Sequence, residues 1–405
     1  MKDDMTRRLY LKLALATLVT LAGGCASTGG QTPARADVLA DLTRANDYWQ
    51  RNHAPQQWAF WDVAAYHTGN MAAYALTRNE AYRDYSTAWA EHNRWRGADS
   101  DNRAEWKYSY GETQEYVLFG DWQTCFQTYV DLYELDGRKD PRRIARAREV
   151  LEYQMGTSSR DYWWWADGIY MVMPAMTKLY KATGDRRYLD KLHEYFTYAD
   201  QLMYDPDAGL YYRDAKYIYP RHKSANGGKD FWARGDGWVF AALAKTLADL
   251  PPDNPSRPLL TERFRRMAAA LKPLQQDGGY WTRSLLDPGH APGPESSGTA
   301  FFTYAYAWGI NHGYLDRAEY APTALRGWRF LRRVALQADG RVGYVQPIGE
   351  RAIPGQVVNQ DSTAPFGVGA FLLAASEIAS LVDHAGDKAG DKAGDKAGDK
   401  AGDKR

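Results

Sequence analysis

The chain has 405 residues, 44% hydrophobic and 25% charged, a balance that excludes both a disordered polymer and a membrane bundle. Lysine and arginine number 51 against 50 acidic residues, and a formal charge of +1 argues against a protein held to nucleic acid by phosphate contacts. The surplus is aromatic: 15 Trp and 29 Tyr supply flat faces with polar edges that suit sugar rings.

Residues 1–25 read as an export signal. Arg7, Arg8 and Lys12 flank an apolar run from Leu13 to Ala22 that is too short to span a bilayer. Thr6-Arg7-Arg8-Leu9-Tyr10-Leu11-Lys12 has the form of a twin-arginine motif, although paired arginines also occur in ordinary secretory signals. Leu21-Ala22-Gly23-Gly24-Cys25 is similar to a bacterial lipobox, with the Leu one position further from the Cys than usual. It predicts an exported, cell-envelope lipoprotein, in the periplasm or at the outer membrane, attached to membrane only through lipid on Cys25. The alternative is cleavage nearby to a soluble periplasmic protein. With Cys25 lipidated, Cys125 has no partner for an intrachain disulfide.

Residues 26–40 read as a linker, and 41–383 as one folded domain. Six stretches pair small and apolar residues at helical spacing: Met71–Leu76, Tyr129–Leu135, Met176–Ala182, Val239–Leu247, Tyr304–Ile310 and Val368–Ile378. Most lead through turn residues such as Asp136-Gly137 or Thr183-Gly184-Asp185 into a more charged helical pattern, as in Arg142–Glu152. Three return loops also repeat, beginning Asp207-Ala208-Gly209, Asp277-Gly278-Gly279 and Asp339-Gly340. Helix pairs recurring six times can bury both faces by closing into a ring, and no atypical polar repeat stands at either end as an open solenoid would require. The expected fold is all-α, an (α/α)6 barrel of six hairpins. From Ala385 the unit Ala-Gly-Asp-Lys repeats to Arg405; it is neutral, has nothing to bury, and makes 384–405 an expected disordered tail.

An acid stands before each inner helix: Asp62 after Trp61, Asp121 between Gly120 and Trp122, Asp167 between Ala166 and Gly168, Asp236 between Gly235 and Gly237, Glu295 before Ser296-Ser297-Gly298, and Asp361 before Ser362. A barrel would gather all six at one mouth. Asp and Glu also cap helices, and about half of the six are expected to do only that. Capping does not explain the neighbouring Gly and Trp. Asp167 follows Trp163-Trp164-Trp165, and indoles that strip water from a carboxyl raise its pKa and make it a proton donor. Asp121 is the natural second carboxylate. The chain shows no His-Glu-x-x-His, zinc-finger, phosphate-loop or dinucleotide pattern, so neither a metal nor a cofactor is expected.

Trp165-Ala166-Asp167-Gly168-Ile169-Tyr170-Met171, Phe231-Trp232-Ala233-Arg234-Gly235-Asp236-Gly237-Trp238 and Glu295-Ser296-Ser297-Gly298-Thr299-Ala300, in that order, resemble glycoside hydrolase families 88 and 105, the unsaturated glucuronyl and rhamnogalacturonyl hydrolases. The resemblance implies the same (α/α)6 barrel and an oligosaccharide left by a polysaccharide lyase, ending in a 4,5-unsaturated uronic acid. It implies hydration of the double bond, with Asp167 as acid and then base and Asp121 positioning the water or tuning Asp167. Substrate contacts are implied for Arg234, Trp165 and Trp238, and for Glu295 and Ser297; Arg234 equally fits a helix-start salt bridge. Two departures stand out. Asp121-Trp122 replaces a pair of adjacent acids, and Arg213 stands where members often carry a His after Leu-Tyr-Tyr. Arg213 and the nearby Arg221-His222-Lys223 either grip a second acidic or sulfated group or form a solvated loop. Rival readings are a polysaccharide lyase on a related toroid, a glucuronidase for saturated sugars, and a non-catalytic glycan-binding lipoprotein.

Overall fold

The structure, a computed structural model, describes residues 32–398, with side chains as far as residue 383. The export signal and Cys25 lie outside the described residues. Twelve α-helices are present among those described: α1 (Arg35–Asn52), α2 (Trp61–Thr77), α3 (Glu80–His92), α4 (Cys125–Leu135), α5 (Arg142–Met155), α6 (Ala166–Thr183), α7 (Arg187–Met203), α8 (Ala233–Asp249), α9 (Arg257–Leu271), α10 (Ser296–Asn311), α11 (Arg317–Phe330) and α12 (Pro365–Gly398). The six even-numbered helices pack side by side as a ring, α2 against α4, α6, α8, α10 and α12 in turn, and α12 closes on α2. The fold is the all-α, (α/α)6 barrel.

The two layers follow from composition. Inner helices are covered on all sides, and in α10 every residue from Ser296 to Ile310 is buried. Outer helices bury one stripe; in α7 this is Leu189, Leu192, Phe196, Ala199 and Met203. Small residues set how closely the inner ring packs. A Cβ on Gly69 of α2 would stand 2.2 Å from the Gly369 carbonyl oxygen of α12, so only glycine allows the crossing that closes the ring.

The sixth hairpin is made from both ends of the domain. Among the described residues no outer helix follows α12, and α1 packs against it. α1 therefore begins at Arg35, inside the stretch expected as linker. Val38, Leu42, Ala45 and Trp49 give it a buried stripe at helical spacing. At the other end, α12 runs to Gly398, where the Ala-Gly-Asp-Lys repeat was expected to be disordered. Residues 399–405 lie outside the described range. Pro365–Asp383 is long and apolar enough to cross a membrane, but it is the barrel's own buried inner helix.

The inner helix α6 carries a proline in its interior. Pro174 in α6 has no N–H for the Tyr170 carbonyl one turn back, and Gln127 Nε2 of α4 donates to that oxygen at 2.8 Å. The Tyr170 hydroxyl in turn bonds Thr68 Oγ1 of α2 at 2.8 Å. α2, α4 and α6, whose heads carry Asp62, Asp121 and Asp167, are thus linked by polar bonds inside the ring. A two-stranded antiparallel ladder, β1 (Tyr204–Asp205) with β2 (Leu210–Tyr211), forms at the first of the repeated return loops, and isolated bridges join Trp165 to Asp214, Trp232 to Ser284 and Leu336 to Val342.

Candidate active site

The return segments lie over the heads of the inner helices, where the first N–H groups are unpaired. Ala166 N of α6 donates to Arg213 O at 2.8 Å, Ala233 N of α8 to Arg283 O at 2.9 Å, and Ser296 N of α10 to Tyr344 O at 2.8 Å. The last segment roofs half of the mouth. Gln346 N donates to Glu295 Oε1 at 3.1 Å, and Trp232 Nε1 donates to Gln346 Oε1 at 2.8 Å. Arg234 donates to the Gln346 carbonyl at 2.5 Å and the Pro347 carbonyl at 2.9 Å.

The other half stays open as a cavity of about 560 Å³. Its wall includes Asp62, Asp121 and Asp167, with Trp61, Trp164 and Trp165 beside them and Arg213 across. Trp165 stacks on Phe119 at 4.9 Å, and a Cβ on Gly168 would come within 2.9 Å of its ring, so the glycine after Asp167 is what lets the indole lie on the helix start. Burial raises the Asp167 carboxyl above its ordinary pKa, against the opposing charges of Arg213 and Arg234. Its Oδ2 makes no hydrogen bond and lies 3.6 Å from Arg213 Nε. Asp121 is raised well above the ordinary range, first by burial and then by the charge of Asp167. Asp62 is raised to about 6, chiefly by burial. The site is a set of carboxyls whose pKa values burial raises, in an indole-lined cleft suited to acid–base chemistry on a sugar.

Of the residues marked from sequence, Asp121, Asp167, Trp165 and Arg213 share this cavity. The others do not line it. Arg234 is 1% exposed and sealed between the rings of Trp232 and Phe366, at 4.6 and 4.7 Å, with burial lowering its pKa to about 10. Trp238 is buried behind the wall, against Trp61, Tyr170 and Phe301. Glu295 is an N-cap whose carboxylate accepts from Ser297 N and Oγ and from Gly298 N, which occupies Ser297 as well. His222 bonds Asp230 Oδ2 at 2.8 Å, held there while Ser284 Oγ donates to the other oxygen at 2.6 Å. Of the remaining acids, Asp236 accepts from Tyr211 N at 2.8 Å and Asp361 pairs on the surface with Arg341 at 2.8 Å.

The sequence pattern described as Glycosyl Hydrolase Family 88 matches residues 37–382. The chain belongs to that family. The unsaturated 3S-rhamnoglycuronyl hydrolase of Formosa agariphila is similar to this family 88 chain at 32% identity over 365 residues, covering 85% of this chain and 91% of that one. A solved family 88 glycosyl hydrolase from Bacteroides vulgatus superposes with a TM-score of 0.84 at 56% identity, over 86% of this chain and 100% of that one. Another solved structure, named a polysaccharide lyase, gives a TM-score of 0.84 at 61% identity, over 86% and 98%. At the level of the family, the chain is a glycoside hydrolase of the unsaturated glucuronyl and rhamnogalacturonyl hydrolase type.

Sequence reasoning missed the walls of this family 88 site that come from loops. Tyr110 and Glu112 belong to the segment before α4, and Lys216, Ile348 and Glu350 to return segments. None sits in a periodic pattern. Asp62 carried the same signal as the other helix-head acids, and only its place in the ring separates it from Asp361. Cys125, free and buried in α4, takes no part in the cavity.

Proposed function

We propose that this family 88 enzyme releases a 4,5-unsaturated uronic acid from the non-reducing end of lyase-generated oligosaccharides by hydrating the C4–C5 double bond. The observation that carries the reading is the pairing of Asp121 and Asp167 in one indole-walled cavity, both held toward their protonated forms. One proton passes from Asp167 to C4, and positive charge develops at C5 beside the ring oxygen. Water adds at C5 and gives its proton to the Asp167 carboxylate. The resulting hemiketal opens to a C5 ketone, and the anomeric carbon, now a hemiacetal, releases the leaving sugar and becomes an aldehyde. Arg213 beside Asp167 steadies the carboxylate that exists between the two transfers, and Asp121 orients the water. The name of the Formosa relative supports rhamnose as the leaving sugar.

The name of the second solved structure favours a lyase as the competing reading. A lyase needs a base to remove the C5 proton. Among the described residues no histidine lines the cavity, and Tyr110, raised to about 12 by burial and by its hydrogen bond to Glu112, is a poor base near neutral pH. Ultraviolet absorbance separates the two: a lyase creates the conjugated band and a hydratase bleaches it. The purified protein is expected to bleach unsaturated rhamnose-containing oligouronides, and Asp167→Asn to fold without doing so. Growth of the band on intact polysaccharide, or wild-type bleaching by Asp167→Asn, overturns the assignment. Export and anchoring through Cys25 belong to the same proposal, supported by the lipobox-like Leu21-Ala22-Gly23-Gly24-Cys25 after the basic and apolar start. Cys25→Ala is expected to move the protein from the membrane to the soluble fraction.

A further inference from the structure

The cavity is rich in acids and poor in cations. Among the described residues five carboxyl side chains line it, Glu112 and Glu350 joining the three helix-head aspartates, against two cations, Arg213 and Lys216. Arg234, the other arginine beside the mouth, is sealed beneath the roof with two of its donors spent on backbone carbonyls. A sugar that brings a carboxylate into this cleft therefore has Arg213 and Lys216 as its positive partners.

Both are engaged by one side chain. Glu350 Oε2 lies 2.9 Å from Lys216 Nζ and 3.4 Å from Arg213 Nη1, and Tyr217 OH donates to Glu350 Oε1 at 2.6 Å. Arg213 keeps a second, buried partner in Asp214 Oδ2 at 2.6 Å, while its Nε faces Asp167 without a hydrogen bond. Asp214 also holds the Lys216 backbone N–H at 2.7 Å. The Asp214 contacts fix the segment; the Glu350 contact reaches across from the roof, on a side chain that is 44% exposed. Burial alone would raise the Glu350 carboxyl, but Tyr217, Lys216 and Arg213 together hold it below its ordinary pKa, so it is an anion throughout the neutral range.

We infer that Glu350 holds Arg213 and Lys216 as a stand-in for the substrate's carboxylate, which displaces it by exchange of one anion for another. The inference rests on the uronate reading given above. A uronate that displaces Glu350 replaces an ion pair with an ion pair. A neutral sugar offers no charge to replace that pair, so Glu350 stays on the two cations when it binds. The displaced Glu350 turns outward to solvent with the tip of the roof segment, next to Ile348, whose side chain is already exposed.

Titration calorimetry of the full-length protein at pH 7 with D-glucuronate, which lacks the alkene and is not turned over, reads the exchange directly. Glu350→Gln keeps size and hydrogen-bonding capacity but removes the competing charge, and is expected to bind glucuronate about fivefold more tightly than wild type, with glucose binding unchanged. Arg213→Gln is expected to erase the preference for glucuronate over glucose. Tyr217→Phe, which loosens Glu350 while keeping every charge, is expected to tighten glucuronate binding by about twofold and serves if Glu350→Gln does not fold. A purely structural latch gives the opposite sign, with weaker binding of both sugars in both variants. Equal or weaker glucuronate binding in these variants, with bleaching by the wild type intact, overturns the exchange and leaves the hydration reaction standing. A wild type that neither bleaches nor binds glucuronate overturns both.

Discussion

Replacing Arg234 with lysine separates the role its sequence context implies from the role the fold gives it. The guanidinium fork holds the carbonyls of Gln346 and Pro347 at once, in a site 1% exposed. A lysine reaches one of them, so one buried carbonyl loses a charge-assisted donor, at a cost of about 2 kcal/mol. Loss of the planar stack between Trp232 and Phe366 adds about 0.5–1 kcal/mol. For a domain this large the sum corresponds to a melting temperature lowered by about 5 °C. The same carbonyls anchor the roof that carries Ile348, Gly349 and Glu350 into the cavity wall, so KM is expected to rise by about threefold to tenfold with kcat changed less. Thermal unfolding followed by circular dichroism, together with bleaching kinetics, measures both. An unchanged melting temperature combined with a KM raised a hundredfold would mean that Arg234 grips the substrate itself, and would refute the argument from burial.

Asp62→Asn is expected to act through pH. The Asp62 carboxyl is raised to about 6 by burial, so the folded state binds its proton more tightly than the unfolded chain does and loses stability as pH rises from about 4 to above 6. The asparagine variant escapes that loss and should be more stable than wild type at pH 7.5 by about 1–2 kcal/mol, and not at pH 4, in urea titrations. Asp121 is held up first by burial and then by Asp167, with a smaller contribution from Asp62, so the alkaline limb of kcat/KM should also move slightly to lower pH in this variant. Gly168→Ala would place a methyl 2.9 Å from the Trp165 ring, and kcat/KM is expected to fall at least about tenfold as the indole shifts beside Asp167; unchanged kinetics would remove Trp165 from the binding surface.

The barrel was legible because its signals are local. Small and aromatic residues at helical spacing, as in Tyr304–Ile310, are what a helix surrounded by other helices requires, and charges in Arg142–Glu152 are what an outer face requires. The surroundings of Asp167 were legible for the same reason, because the indole of Trp165 and the glycine at 168 that make them are its neighbours in the chain.

What the sequence alone determined is the six inner helices, the acid at the head of each, and the all-α class. Tertiary structure decided which acids face the cavity. The segment from Gly343 to Glu350, a hairpin away in sequence, roofs the heads of α8 and α10 and turns Glu295 into a cap and Arg234 into an anchor, while Asp62, Asp121 and Asp167 are left facing the cleft. It also decided that α1 serves as the outer helix of α12. Helix caps and functional carboxylates obey the same short-range rules, and only long-range packing, which sets water access and the neighbouring charges, tells them apart.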